Sequence, residues 1–163
     1  MKSVELHSIA DEVLSVMHQQ VWCAVGTVDP HNRPHVRLLH PIWEQVDDVL
    51  IGWIATNRHS PKATHLAHSA YASLCYDRDI MRPITLDCQA AWRDDVDSKT
   101  RLWEWFKATP APLGYDPGLI WKAPDHADFG VLRLEPYRIV VGQLGGEWRM
   151  WKAGTPYANI NSA

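Results

Sequence analysis

Nowhere does this sequence carry an apolar run of the roughly 18 residues that a membrane-crossing helix needs, which argues against a membrane span. Its start, Met1-Lys-Ser-Val-Glu-Leu-His7, mixes acidic and polar groups into a helical pattern and lacks a signal peptide's continuous apolar centre, so a cytoplasmic location is expected. Cysteine is scarce. Cys23, Cys75 and Cys88 are odd in number, widely spaced and set beside apolar or small neighbours, which fits buried free thiols better than a disulfide framework or a CxxC metal site. Excess charge is missing as well: a net charge of −3 with scattered Lys and Arg gives no basic stripe for nucleic acid. The absence of a GxGxxG turn, a βαβ rhythm, an internal repeat and a linker leaves a Rossmann fold and a multidomain chain without support. No Ser-His-Asp order or paired-carboxylate pattern stands out, so catalysis would have to come from a bound cofactor oriented by the protein.

What the chain has in quantity is tryptophan, nine against two phenylalanines, enough for core, interface and planar-ligand roles together. Its 163 residues suit a single domain, which at this size buries about 70% of the surface its unfolded form exposes. Residues 1–20 read as an N-terminal helix, with Val4, Ile9, Val13, Val16 and Met17 on one stripe. Val21 to Val28 reads as a buried strand, and Asp29 to Arg33 as a tight turn into the next strand, paired antiparallel with it. Tyr71 to Tyr76 and Ile84 to Trp92 alternate like partner strands. Asp94 to Ser98 offers N-caps for a helix carrying Leu102, Trp103, Trp105 and Phe106. A loop rich in Pro and Gly follows over residues 109–125, and a long strand pattern runs from Phe129 to Leu144 with Pro136 at a bulge or edge. Glu147 to Trp151 is a candidate last strand, and residues 154–163 are expected to fray. Short strands separated by turn signals and capped by a few helices predict a mainly β fold, a closed or nearly closed antiparallel barrel.

The most informative stretch runs from Pro34 to Leu66. Two apolar runs, Val36 to Trp43 and Val49 to Ala55, flank an acidic turn at Glu44 to Asp48 and predict a hairpin. After it, Ser60 suits an N-cap and Pro61 a first helical position. The helix's free N–H groups, the Thr56 and Ser60 hydroxyls and the Arg58 and Lys62 charges would then converge as an anion site. Arg37 sits in the apolar strand expected to be the hairpin partner, where a long cation needs a counter-charge, and one anion could satisfy both strands.

These residues resemble the pyridoxamine 5'-phosphate oxidase-like split barrels. The resemblance rests on Arg37-Leu-Leu-His-Pro41, an apolar strand ending Trp53-Ile-Ala-Thr56, and Ser60-Pro-Lys62-Ala-Thr-His-Leu66, and it extends more loosely from Val21 to Val141. It implies an FMN-binding split β-barrel of antiparallel Greek-key type, in which Arg37, Thr56, Ser60 and Lys62 hold the FMN phosphate. The Leu38 and Leu39 backbone would run along the isoalloxazine ring, with His40 and Ala55 flanking it, and an open face near Trp53 and the 109–125 loop would admit a small planar substrate. The resemblance further implies a homodimer with the cofactor at its interface, completed by residues of the second chain. Read from the residues alone, Arg78, Arg82 and Arg149 could reach an acidic ligand or a partner subunit, and Trp103, Trp105, Trp121 or Trp148 are candidates to line the interface, with core packing explaining each at least as well. Where the oxidase carries an Arg-Leu-His-Asp-Arg segment, this chain reads Glu147-Trp-Arg-Met-Trp151, which points to the broader relatives: flavin oxidoreductases, deazaflavin-dependent reductases, and flavin- or haem-binding stress proteins. His65 and His68, three apart on one helical face, have metal-ligand spacing but no matching carboxylate or Cys, and are expected at the surface or an interface.

Overall fold

Turn chemistry sets the first half of the fold. The structure is a computed structural model describing residues 1–77 and 81–154; Arg78 and the expected frayed tail beyond Gly154 lie outside the described residues. Strands β2 (Cys23–Val28) and β3 (Pro34–Leu39) form a hairpin. At its turn the Asp29 carboxylate accepts from the backbone N–H of His31 and of Arg33, and Asn32 takes the left-handed conformation at φ 61°. A second hairpin joins β4 (Pro41–Val46) to β5 (Val49–Asn57) through Asp47, at φ 51°, and Asp48.

The expected strand Val36 to Trp43 is therefore two strands, broken at His40. The residue before a proline is conformationally restricted, and the chain turns there onto a different partner. Arg37 consequently pairs with β2, opposite Val25, rather than with the strand leading to Ser60.

Five further strands complete the sheet: β1 (Lys2–Ser3), β6 (Tyr71–Tyr76), β7 (Ile84–Trp92), β8 (Phe129–Val141) and β9 (Arg149–Lys152). Their order is β1-β9-β8-β7-β6-β2-β3, with β5 also on β8 and β4 on β5. The 13-residue β8 organises this arrangement, pairing with β7 along one edge while β5 (at 129–134) and β9 (at 138–141) share the other. The register between β7 and β8 slips beside Pro136, where the sequence places a bulge. The result is the split barrel with flanking helices.

Two packed clusters follow from this path. Val25, Trp43, Ile54, Leu74, Tyr76, Leu86 and Leu134 fill the barrel, plugged by Val13 and Met17 of α1 (Ala10–Gln20). Ile42, Ile51, Trp53, Phe129 and Val131 form a second cluster beneath α3 (Val96–Ala108) and α4 (Gly118–Trp121). Strand β5 and the first half of β4, Pro41 to Trp43, are thus buried on both faces, which is why their sequence runs apolar without alternation. Asp95 caps α3 by accepting from the Ser98 N–H at 2.8 Å. The N-terminal helix is shorter than expected, because Lys2 and Ser3 pair with Arg149 and Met150 of β9 and a 3-10 turn spans Leu6–Ser8. Among the described residues no helix is long and apolar enough to cross a membrane.

Candidate functional site

Helix α2 (Pro61–His68) opens where β5 ends, with Ser60 in extended conformation at the N-cap and Pro61 at the first helical position, as the sequence predicts. The Ser60 hydroxyl does not bond to the helix N–H groups. It donates instead to the Asn57 carbonyl at 2.9 Å and accepts from Lys62, whose ammonium also donates to the Asn57 carbonyl at 3.3 Å. Lys62 is 7% exposed.

Arg37 approaches the same place from β3. Its Nη1 donates to the Val25 carbonyl at 3.1 Å and the Thr27 hydroxyl at 2.7 Å, and its Nη2 lies 3.5 Å from His65 Nδ1. Burial first, and then the Arg37 charge, pulls the Lys62 ammonium down to about 8. Burial also lowers Arg37. Among the described residues neither cation is ion-paired with a carboxylate. Two mutually repelling, desolvated cations at a helix N-terminus make a positive pocket that an anion relieves.

A cleft of about 330 Å³ adjoins this pocket, lined by Trp22, Leu39, His40, Ala55, Thr56, Asn57, Pro112, Tyr115, Ile120 and Trp121. Asn57 belongs to both, since its carbonyl holds Lys62. The His40 ring lies 5.2 Å from Trp22, 5.2 Å from Tyr115 and 5.3 Å from Phe106. Its Nε2–H donates to the Leu113 carbonyl at 2.7 Å, and burial lowers its pKa against the opposing pull of that bond. A partly aromatic cleft beside a cationic pocket suits a ring system carrying a phosphate.

Of the residues singled out in the sequence, Arg37, Ser60 and Lys62 converge on the cationic pocket, and Leu39, His40, Ala55 and Thr56 line the cleft. Leu38 points outward and is 67% exposed. Trp53 faces α3, its Nε1–H donating to Glu44 at 2.8 Å and its ring 5.1 Å from the Arg101 guanidinium, and it does not line the cleft. Arg58 turns away from the anion pocket, paired with Asp94 at 2.5 Å and stacked on Trp92 at 4.5 Å. Arg149 is held by both oxygens of Glu12. Trp103 and Trp121 are buried in the cluster beneath α3 and α4, and Trp121 also lines the cleft. His65 is buried against β2 while His68 is exposed, so the two do not converge on a metal. Thr27, Trp22 and Tyr115 escape sequence reasoning, and His65, expected at the surface or an interface, is buried beside Thr27 instead. For Thr27 a signal existed: the 29–33 turn sets a register in which Thr27 lies diagonal to Arg37 on the same face.

The family model for pyridoxamine 5'-phosphate oxidase matches residues 9–140. No curated protein matches the chain in sequence. Similar solved structures include a protein from Clostridium acetobutylicum related to general stress protein 26, of the pyridoxinephosphate oxidase family, with TM-score 0.70 and 16% identity over 89% of this chain and 94% of that one. A pyridoxamine 5'-phosphate oxidase-related, FMN-binding protein from Nostoc punctiforme has TM-score 0.64 and 16% identity over 93% of this chain and 100% of that one. A haem-binding protein from Mycobacterium smegmatis has TM-score 0.62 and 14% identity over 88% of this chain and 57% of that one. At these identities the likeness is one of fold.

Proposed function

Because the chain belongs to the pyridoxamine 5'-phosphate oxidase family, we propose that it is an FMN-binding oxidoreductase acting on a small planar substrate. The observation that carries this reading is the Arg37 and Lys62 pair, two desolvated cations with no carboxylate partner among the described residues, set directly beside a cleft of planar-ring size. Arg37, Lys62, Ser60 and Thr56 hold the phosphate. The Leu38 and Leu39 backbone runs along the ring, and His40 and Ala55 flank it. Trp53, on the same strand face as Ala55, supports the cleft from beneath α3.

The flavin supplies the hydride or electron transfer. The chain's own residues fix its phosphate, exclude water from one ring face and leave the side towards Tyr115 and the 109–125 loop for substrate. Val36, 70% exposed, and Leu38 stand outward on the edge strand β3, with Trp22, 54% exposed, just before β2. Such an apolar edge favours a second copy covering it, a homodimer with the cofactor near its interface. A cytoplasmic location accords with three unpaired cysteines.

The deciding experiment is the visible absorption spectrum of the protein purified from a flavin-replete host. A two-banded yellow spectrum, with FMN released on denaturation, is expected. A single sharp violet band would replace flavin with haem. A colourless protein that takes up no added FMN would overturn the FMN reading and move the same phosphate clamp to a deazaflavin coenzyme.

A further inference from the structure

How the proposed phosphate clamp is aimed follows from the hydrogen bonds behind Arg37, and so rests on that reading of the site. A guanidinium has five N–H donors and no acceptor. Three of them are turned inward: both on Nη1, to Val25 and Thr27, and one on Nη2, towards His65 Nδ1. A group that only donates requires the ring nitrogen facing it to present its lone pair. The Thr27 hydroxyl, 2.9 Å from that same Nδ1, accepts from Arg37 and therefore donates its own proton to His65. The chain of donors runs one way, from Arg37 through Thr27 to a neutral imidazole protonated at Nε2.

Its surroundings keep that imidazole neutral. Burial acts first, followed by the neighbouring His35 and Arg37, against the weaker opposing pull of Asp29. The His35 ring sits 4.7 Å away, and its Nε2 is 3.2 Å from the Asp29 carboxylate. Asp29 thus engages His35 and the 29–33 turn, leaving Arg37 to neutral partners. This matters because a carboxylate behind Arg37 would orient it equally well but cancel the charge that an anion needs. A threonine and a neutral histidine orient the fork and leave its charge intact.

We propose that Thr27 and His65 are positioning residues of the phosphate clamp, holding the Arg37 guanidinium so that its Nε–H and second Nη2–H, uncommitted among the described residues, serve a phosphate monoester. Neither residue touches the phosphate itself. Their effect is to fix the fork before the ligand arrives, so that binding does not have to order a long side chain.

The test is titration of FMN and riboflavin, followed by flavin fluorescence, on wild type, Thr27→Val, Thr27→Ser, His65→Leu, Arg37→Ala and the Arg37→Ala/Thr27→Val double variant, with melting temperature as the folding control. Thr27→Val and His65→Leu are each expected to weaken FMN about tenfold, the worth of one hydrogen bond, and to leave riboflavin unchanged. Thr27→Ser should restore FMN binding. On the Arg37→Ala background Thr27→Val should cost nothing further, because the relay acts only through Arg37. Failure of serine to rescue, or an undiminished loss on that background, would overturn the proposal. If wild type does not prefer FMN over riboflavin, the flavin reading fails separately, and the same variants titrated with inorganic phosphate by phosphorus NMR decide the relay on the same pattern. If inorganic phosphate does not bind wild type either, both fall.

Discussion

The ammonium of Lys62, the second residue of α2, reaches back past the helix start to the carbonyl oxygen of Asn57, the last residue of β5, at 3.3 Å. One side chain thereby ties the cationic pocket to the cleft, and it does so while buried beside Arg37. In the unfolded chain Lys62 keeps its proton up to its ordinary value of 10.5, whereas the folded chain releases it near 8. Between those values unfolding takes up a proton, so stability rises with pH across the window, and below about 8 the charged lysine costs the ligand-free fold on the order of 3 kcal/mol. Urea unfolding at pH 7 to 10 should show that rise in the wild type and lose it in Lys62→Met, which should be the more stable protein at pH 7. Parallel curves for the two would remove the assigned burial of charge.

Ligand binding carries the opposite consequence for the same residues. Each charge-assisted bond to phosphate is worth about 1.5 to 3 kcal/mol, so Arg37→Ala with Lys62→Ala should weaken FMN by roughly 3 to 6 kcal/mol. Riboflavin, which lacks the phosphate, should bind the double variant and the wild type alike. FMN affinity in the wild type should also fall as pH rises through 8, where the empty site gives up its Lys62 proton. Fluorescence titration at pH 7 and pH 9 reads all three effects, and unchanged FMN affinity in the double variant would leave the clamp without a function.

Local chemistry made much of this legible in the sequence. Tyr71–Tyr76 and Ile84–Trp92 alternate in and out of the barrel, and their bounds are those the alternation gives. The Asp95 cap and the bulge beside Pro136 follow from the same kind of local rule. What stayed hidden depends on partners far away in the chain. The run from Val36 to Trp43 looks like one strand because both β3 and β4 are apolar there, and only their separate pairing with β2 and β5 divides them. Arg58 follows β5 as closely as Ser60 does, yet the neighbouring β7 and β8 bring Trp92 and Asp94 to it and draw it off the site. His65 reads as a surface or interfacial histidine until α2 is laid against β2, where Thr27 meets it. Tyr115 and Trp121 reach the cleft from a stretch read in the sequence as a Pro- and Gly-rich loop, where the structure has the short helix α4.

The barrel's centre is tight enough to make a sharp stability prediction. A Cβ added at Gly52 would lie 2.8 Å from ring atoms of Trp43, a fully buried residue whose Nε1–H donates to the buried Tyr76 hydroxyl at 2.8 Å. Moving the indole to accommodate the methyl group would strain that bond as well as the packing. Gly52→Ala should therefore cost about 1 to 3 kcal/mol, the usual range for overpacking. Trp43→Phe, which empties part of the same space, should relieve the clash in the double variant and give a loss smaller than the sum of the two single losses. Denaturant midpoints of the three variants check this, and strict additivity would show that Gly52 is conserving something other than room for the indole.

The outward face of β3 bears on how the site is completed. Val36 and Leu38 are both exposed on a strand whose second edge has no partner among the described residues, while Arg37 between them points inward to the clamp. Alternation along one strand thus puts the Arg37 side chain and the apolar pair Val36 and Leu38 back to back. If a second copy covers that edge, its docking and the clamp share β3, and charge on the outward face should be felt on both. Val36→Glu with Leu38→Glu should convert a dimer to a monomer in sedimentation velocity, since two carboxylates would have to be desolvated in the interface. The monomer should melt as a cooperative unit, because neither side chain belongs to the core, and should hold FMN more weakly than the wild type although every clamp residue is intact. A wild-type protein that sediments as a monomer at micromolar concentration would confine the flavin site to one chain, and a charged variant that stays dimeric would place the interface elsewhere.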